Sequence, residues 1–110
     1  MLSGHLLPEV NYLSVMPVTI NREMTITRDE FFRILPKALS EFSFEIYNDK
    51  IICRVEEGLI EINISKGENR MLGALKLPVL NIKFVMNNIS REMQTRFFEK
   101  FYFAYQKGGG

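Results

Sequence analysis

The residue types that most often carry chemistry are scarce in this chain. Its 110 residues include one histidine, His5, and one cysteine, Cys53. A structural zinc site needs about four Cys or His ligands, and one of each cannot begin that set. Cys53 falls in the apolar alternation Ile51–Cys53–Val55 with no base beside it. It reads as a small buried hydrophobe and not as a nucleophile. His5 lies in a stretch broken by Gly4 and Pro8 and reads as a solvated side chain. Serines and aspartates occur, but their positions suggest no Ser/His/Asp arrangement. Glu45, Glu56, Glu57 and Glu61 fall at solvent-face and turn positions, so a carboxylate metal set is not indicated. The C-terminal Gly108–Gly110 run is no phosphate loop, because no strand precedes it and no helix follows. No catalytic residue, metal or cofactor is expected, and the sequence leans away from an enzyme.

Composition excludes further classes. Hydrophobic residues make up 46% and charged residues 25%, with a net charge of +1, which is an ordinary globular balance. Lys and Arg are interleaved with Asp and Glu, so no basic footprint of a nucleic-acid binder stands out. No run approaches the ~18 apolar residues of a membrane span. The first residues lack the basic and apolar regions of a secretory signal. A lone thiol suits a reducing compartment, and a cytoplasmic location is expected. The chain divides into an N-terminal arm over 1–14, one α+β domain over 15–107 and a flexible glycine tail over 108–110.

The elements that would position any site follow from periodicity. Met16, Val18, Ile20, Met24 and Ile26 alternate with polar residues, which is a strand pattern with one buried face. Arg22 falls on the apolar parity. Either one strand turns it inward, or a three-residue loop over Asn21–Glu23 makes a hairpin. Thr27-Arg28-Asp29-Glu30 is a capping box that opens a helix. Pro36 cannot donate a backbone hydrogen bond, so two short helices are predicted in its place.

From Phe42 the chain reads as a five-strand antiparallel meander. An Asn48-Asp49 loop pairs Ile46 with Ile51 and Phe44 with Cys53. A Glu57-Gly58 loop pairs Val55 with Ile60. A loop over Lys66–Asn69 pairs Ile64 with Met71, and a Leu77-Pro78 turn pairs Leu75 with Leu80. In this register one face is apolar throughout. The last helix, capped by Ser90, would cover that face with Met93, Phe97, Phe98, Phe101, Tyr102 and Tyr105. The fold class is therefore α+β: an N-terminal strand, a short Pro-interrupted helix, the meander, and a long C-terminal helix on one sheet face.

Three positions depart from the plain pattern. Gly73 occupies the middle of a core row, either to relieve crowding or to leave a hollow for a ligand. Arg22 could meet an anion at the mouth of that hollow. Phe97, Phe101 and Tyr105 would line it. Phe103 lies among Arg96, Glu99 and Lys107, either folded back at a frayed helix end or contacting another chain.

The order strand, interrupted helix, meander and long final helix resembles the helix-grip architecture of START-like lipid-binding domains. Thr25-Ile26-Thr27-Arg28-Asp29-Glu30-Phe31-Phe32 is similar to their strand-to-helix transition. The resemblance covers most of the chain. It implies a curved sheet around the last helix with a hydrophobic cavity between them. The expected function is a noncatalytic binding or protein-interaction module, a homodimer or another homo-oligomer, with an apolar small molecule or a protein as partner. The alternatives are a small enzyme or enzyme-accessory subunit with polar groups at the sheet–helix mouth, and a weak RNA binder using Arg91, Arg96, Lys100 and Phe103.

Overall fold

The structure is a computed structural model, and it describes residues 17–108. The arm over 1–14, His5, Met16 and the last two glycines lie outside the described residues. The first element is strand β1, Val18–Met24, unbroken through Arg22. The continuous strand is therefore the one adopted, but Arg22 is exposed and not turned inward. Helix α1, Arg28–Ala38, starts at Thr27, whose hydroxyl accepts the Glu30 N–H at 3.1 Å. Only half of the capping box forms, because the Glu30 carboxylate pairs with Arg33.

Pro36 lies inside α1, and the prediction of two short helices is corrected to one. The proline removes one hydrogen bond, the one its own N–H would make. Leu35, Ala38 and Leu39 are buried on either side of it, and the Leu39 N–H donates to the Leu35 carbonyl at 3.0 Å. Burial of that apolar stripe outweighs one missing bond near the helix end.

Strands β2 (Ser43–Tyr47), β3 (Lys50–Val55) and β4 (Gly58–Lys66) follow, then β5 (Arg70–Leu72), β6 (Leu75–Leu77) and β7 (Leu80–Asn87). Helix α2, Arg91–Gln106, ends the domain and is capped by the Ser90 hydroxyl, which accepts the Met93 N–H at 3.1 Å. The sheet has five antiparallel strands, ordered β1-β7-β4-β3-β2.

The prediction placed all five strands of the meander after α1; the sheet does have five strands, but its fifth is β1, and residues 71–77 lie outside it. The first hairpin has its predicted register, Ile46 opposite Ile51 and Phe44 opposite Cys53. The second is shifted by two residues, with Val55 opposite Gly58 and Cys53 opposite Ile60. Its loop is Glu56-Glu57, and Glu56 takes φ +54°. Gly58 is pulled out of the turn because it is buried against the chain at Asn87 and Asn88, whose carbonyl oxygens an added Cβ would overlap. A two-residue shift keeps every side chain on its face, so the apolar pattern cannot reveal it.

The larger correction concerns β4. It pairs with β7, setting Ile60 opposite Met86, Ile62 opposite Phe84 and Ile64 opposite Ile82. The predicted Ile64–Met71 and Leu75–Leu80 pairs do not form. β7 offers four buried apolar residues in alternation, whereas 71–77 is interrupted by Gly73 and followed by Pro78. β1 completes the sheet on the far side of β7, with Ile20 opposite Phe84 and Arg22 opposite Ile82.

Both helices pack on one sheet face. Its central row is Ile20, Phe84, Ile62, Ile51 and Ile46. Phe84 meets Phe97, Phe98 and Phe101 of α2 at centroid distances of 6.1, 4.9 and 5.3 Å. Phe31 of α1 closes the far side, stacked on Tyr105 at 5.3 Å.

This packing separates core from surface sharply. Phe84→Ala should lower unfolding free energy by about 3–5 kcal/mol. Leu72→Ser, outside the sheet, should stay within about 0.5 kcal/mol when both proteins are compared as dilute monomers. Urea unfolding followed by circular dichroism checks both, and equal costs would place residues 70–77 in the core.

Candidate interaction surface

The most unusual surface grows out of the β4–β7 pair. Past Lys66–Leu80, the Gly67 N–H donates to the Val79 carbonyl at 2.8 Å. Glu68 and Asn69 then stand against Pro78 alone, the two-against-one count of a β-bulge. The ladder resumes as Arg70–Leu77, Met71–Lys76 and Leu72–Leu75. The central hairpin of the sheet thus continues as a two-stranded ribbon with no further strand on either edge among the described residues.

Gly73 and Ala74 turn the ribbon, and Gly73 takes φ +62° at the first central position, where a type II′ turn needs glycine. An added Cβ there would meet nothing within 4 Å. Gly73 is therefore a ribbon tip and not the middle of a core row, and the hollow expected above it is absent.

The tip is apolar. Met71, Leu72 and Leu75 are 59%, 63% and 61% exposed. Leu72 and Leu75 are cross-strand partners on one ribbon face, and Met71 shares the other with Lys76. Arg70 ties the base to β1, donating to Glu23 Oε1 at 3.0 Å and Thr25 Oγ1 at 3.3 Å. Exposed pairs of this kind orient more than they stabilise.

Beside the ribbon base lies a cavity of about 380 Å³. Ile26, Ile64, Pro78, Val79 and Leu80 supply apolar walls. Arg28 and Asp49 stand at its rim, paired at 2.9 Å.

The residues singled out from the sequence do not converge. Phe97 and Phe101 are fully buried, and with Tyr105 they form one aromatic cluster, Phe101 lying 5.8 Å from Phe97 and 4.8 Å from Tyr105. The Tyr105 hydroxyl donates to the Phe31 carbonyl at 2.8 Å, and burial raises its pKa above the ordinary phenol value. Arg22 is exposed on β1 and donates to the neighbouring Asn21 carbonyl at 2.9 Å. Gly73 is at the ribbon tip. Phe103 is 59% exposed on a helix that stays regular past it, with the Lys107 ammonium 5.6 Å from its ring centroid. Its ring is turned outward, not folded back at a frayed end.

The basic residues of α2 are partly committed. Arg96 and Lys100 both bind the Glu41 carboxylate, which Lys100 above all holds below the usual carboxylate range. Among the described residues no three His, Cys, Asp or Glu side chains cluster to hold a metal. No helix there is long and apolar enough to cross a membrane. No family model matches the chain, and searches of curated proteins and solved structures find no match.

The ribbon was missed because 71, 73 and 75 fit the parity of a core strand. One signal against that placement was present: Leu72, a large apolar residue, fell on the polar face. Gly67, Gly73 and Pro78 also crowd a short span with strand-breaking residues.

Cys53 is fully buried, and desolvation pushes its thiol up to about 12. The neutral thiol is favoured in the folded state. Its contribution to stability is present below the unfolded value near 9 and is lost as pH rises toward 12. Native protein at pH 8 should resist an aromatic disulfide reagent and react in urea at the rate it unfolds. Rapid labelling of the native protein would mean that Cys53 is accessible.

Proposed function

We propose that the chain is a noncatalytic protein-interaction module that self-associates as a homodimer through the β5–β6 ribbon. The observation that carries this reading is the exposure of Met71, Leu72 and Leu75 together at the tip of a projecting ribbon. Clustered apolar side chains of this size on a surface mark interaction sites. The unpaired ribbon edges add main-chain donors and acceptors that a second strand can satisfy. The lone buried thiol supports a cytoplasmic setting.

The second reading is a helix-grip domain holding an apolar small molecule. It draws support from the sheet order, in which the first strand lies beside the last, and from both helices joining the sheet in one core. Phe84, Phe97 and Phe101, all fully buried, fill the space between the sheet and α2 that such a ligand would need. This packing favours the protein-interaction reading. Arg22, Phe97, Phe101 and Tyr105 remain the residues that the ligand reading would use. Phe103 is the alternative interface residue.

Native mass spectrometry and sedimentation of the full chain test the choice together. Wild type should run at twice the chain mass with no retained small molecule. Leu72→Ser/Leu75→Ser should raise the dimer dissociation constant at least about tenfold, the equivalent of 1.4 kcal/mol. Phe103→Ser should leave it unchanged. A monomeric wild type carrying a bound apolar compound would transfer the assignment to the ligand reading.

A further inference from the structure

We infer that the cavity at the ribbon base is the receptor for the ribbon tip of a second copy, so that two copies exchange tips about a two-fold axis. This inference rests on the self-association proposed above and adds the site that receives the ribbon.

Plug and socket are alike in chemistry, both being apolar. The plug is Leu72 with Leu75, cross-strand partners on one ribbon face and both mostly exposed. The socket is walled by Ile26, Ile64, Pro78, Val79 and Leu80. Plug and socket lie at opposite ends of the same ribbon. Leu75 and Leu80 are five residues apart, roughly 17 Å along an extended chain. Two ribbons laid antiparallel, with the two-fold axis midway along that span, put each tip at the base of the other. Both sockets then fill at once, which is the closed isologous contact that symmetric dimers use. A head-to-tail arrangement would leave a tip open at one end and a socket open at the other.

The area is adequate. Covering Leu72 and Leu75 on both copies, with an equal area of the surfaces that cover them, removes on the order of 900 Å² from water, in the range of small, transient interfaces. Pairing of the ribbon edges adds to this. The cavity volume of about 380 Å³ accommodates the Leu72–Leu75 pair. Arg70 links the ribbon base to Glu23 of β1 and to Thr25 beside it.

Cross-linking between two different single-site variants tests the placement. One variant carries Leu75→Cys at the tip and the other Ser65→Cys at the socket wall. They are mixed under mild oxidation, and buried Cys53 leaves the introduced thiols as the exposed ones among the described residues. Tip-to-socket exchange predicts a mixed Leu75→Cys/Ser65→Cys disulfide as the main covalent dimer, formed at least tenfold faster than either same-variant dimer. It also predicts that Leu72→Ser on the tip variant slows that link by a similar factor. If the mass of the dimer depends on Leu72 and Leu75 but the main link joins Leu75→Cys to itself, the ribbons meet tip to tip. The exchange is then wrong while the ribbon interface stands. If wild type is monomeric, or its dimer is indifferent to Leu72 and Leu75, the ribbon interface falls and the exchange falls with it.

Discussion

Phe84 sits where the sheet and the last helix meet, and the rest of the arrangement depends on that contact. It lies at the centre of β7, flanked by Ile20 on one side and Ile62 on the other. Above it, Phe97, Phe98 and Phe101 approach with their edges toward the ring, or its edge toward theirs. Edge-to-face contact suits the aromatic quadrupole and adds to the area buried. Phe84 holds this position because β7 lies inside the sheet, between β1 and β4. β4 pairs with β7 directly, and the residues between them therefore leave the sheet.

The ribbon is therefore a consequence of the core. Residues 67–79 connect two adjacent antiparallel strands that a tight turn could have joined. The chain instead extends the same ladder outward past a bulge and turns at Gly73. The extension leaves its apolar tip mostly in water, which is costly unless something covers it. The core itself has no polar side chain among the described buried residues and no reactive group beyond a protonated thiol. Among the described residues, the ribbon tip gathers three of the most exposed large apolar side chains, Met71, Leu72 and Leu75.

Local signals in the sequence carried as far as local physics reaches. Thr27 and Ser90 mark helix starts because a hydroxyl at that position satisfies an otherwise free backbone N–H. The Asn48-Asp49 turn sets a register because Asn48 accepts positive φ, and it does so at +60°. Ile51, Cys53, Val55, Ile60, Ile62 and Ile64 face inward as their alternation requires. What alternation cannot specify is which strand a strand meets. Parity is shared by every even shift and by every other apolar strand, so the Glu56-Glu57 turn and the β4–β7 pairing were both hidden. They depend on contacts distant in sequence, Gly58 against Asn87 and Asn88, and Phe84 against α2. The candidate surface was less legible still. Gly73 stands out in the sequence, but its role as a tip appears only once β7 has displaced residues 71–77 from the sheet.

The direct pairing of β4 with β7 is the claim on which core and ribbon both stand, and cross-strand backbone nuclear Overhauser effects measure it. Contacts should connect β4 and β7 in the register that sets Ile60 opposite Met86, Ile62 opposite Phe84 and Ile64 opposite Ile82. Residues 70–72 should contact only 75–77. Cross-strand contacts linking Ile64 to Met71 and Leu75 to Leu80 would restore the sequential meander and remove the ribbon.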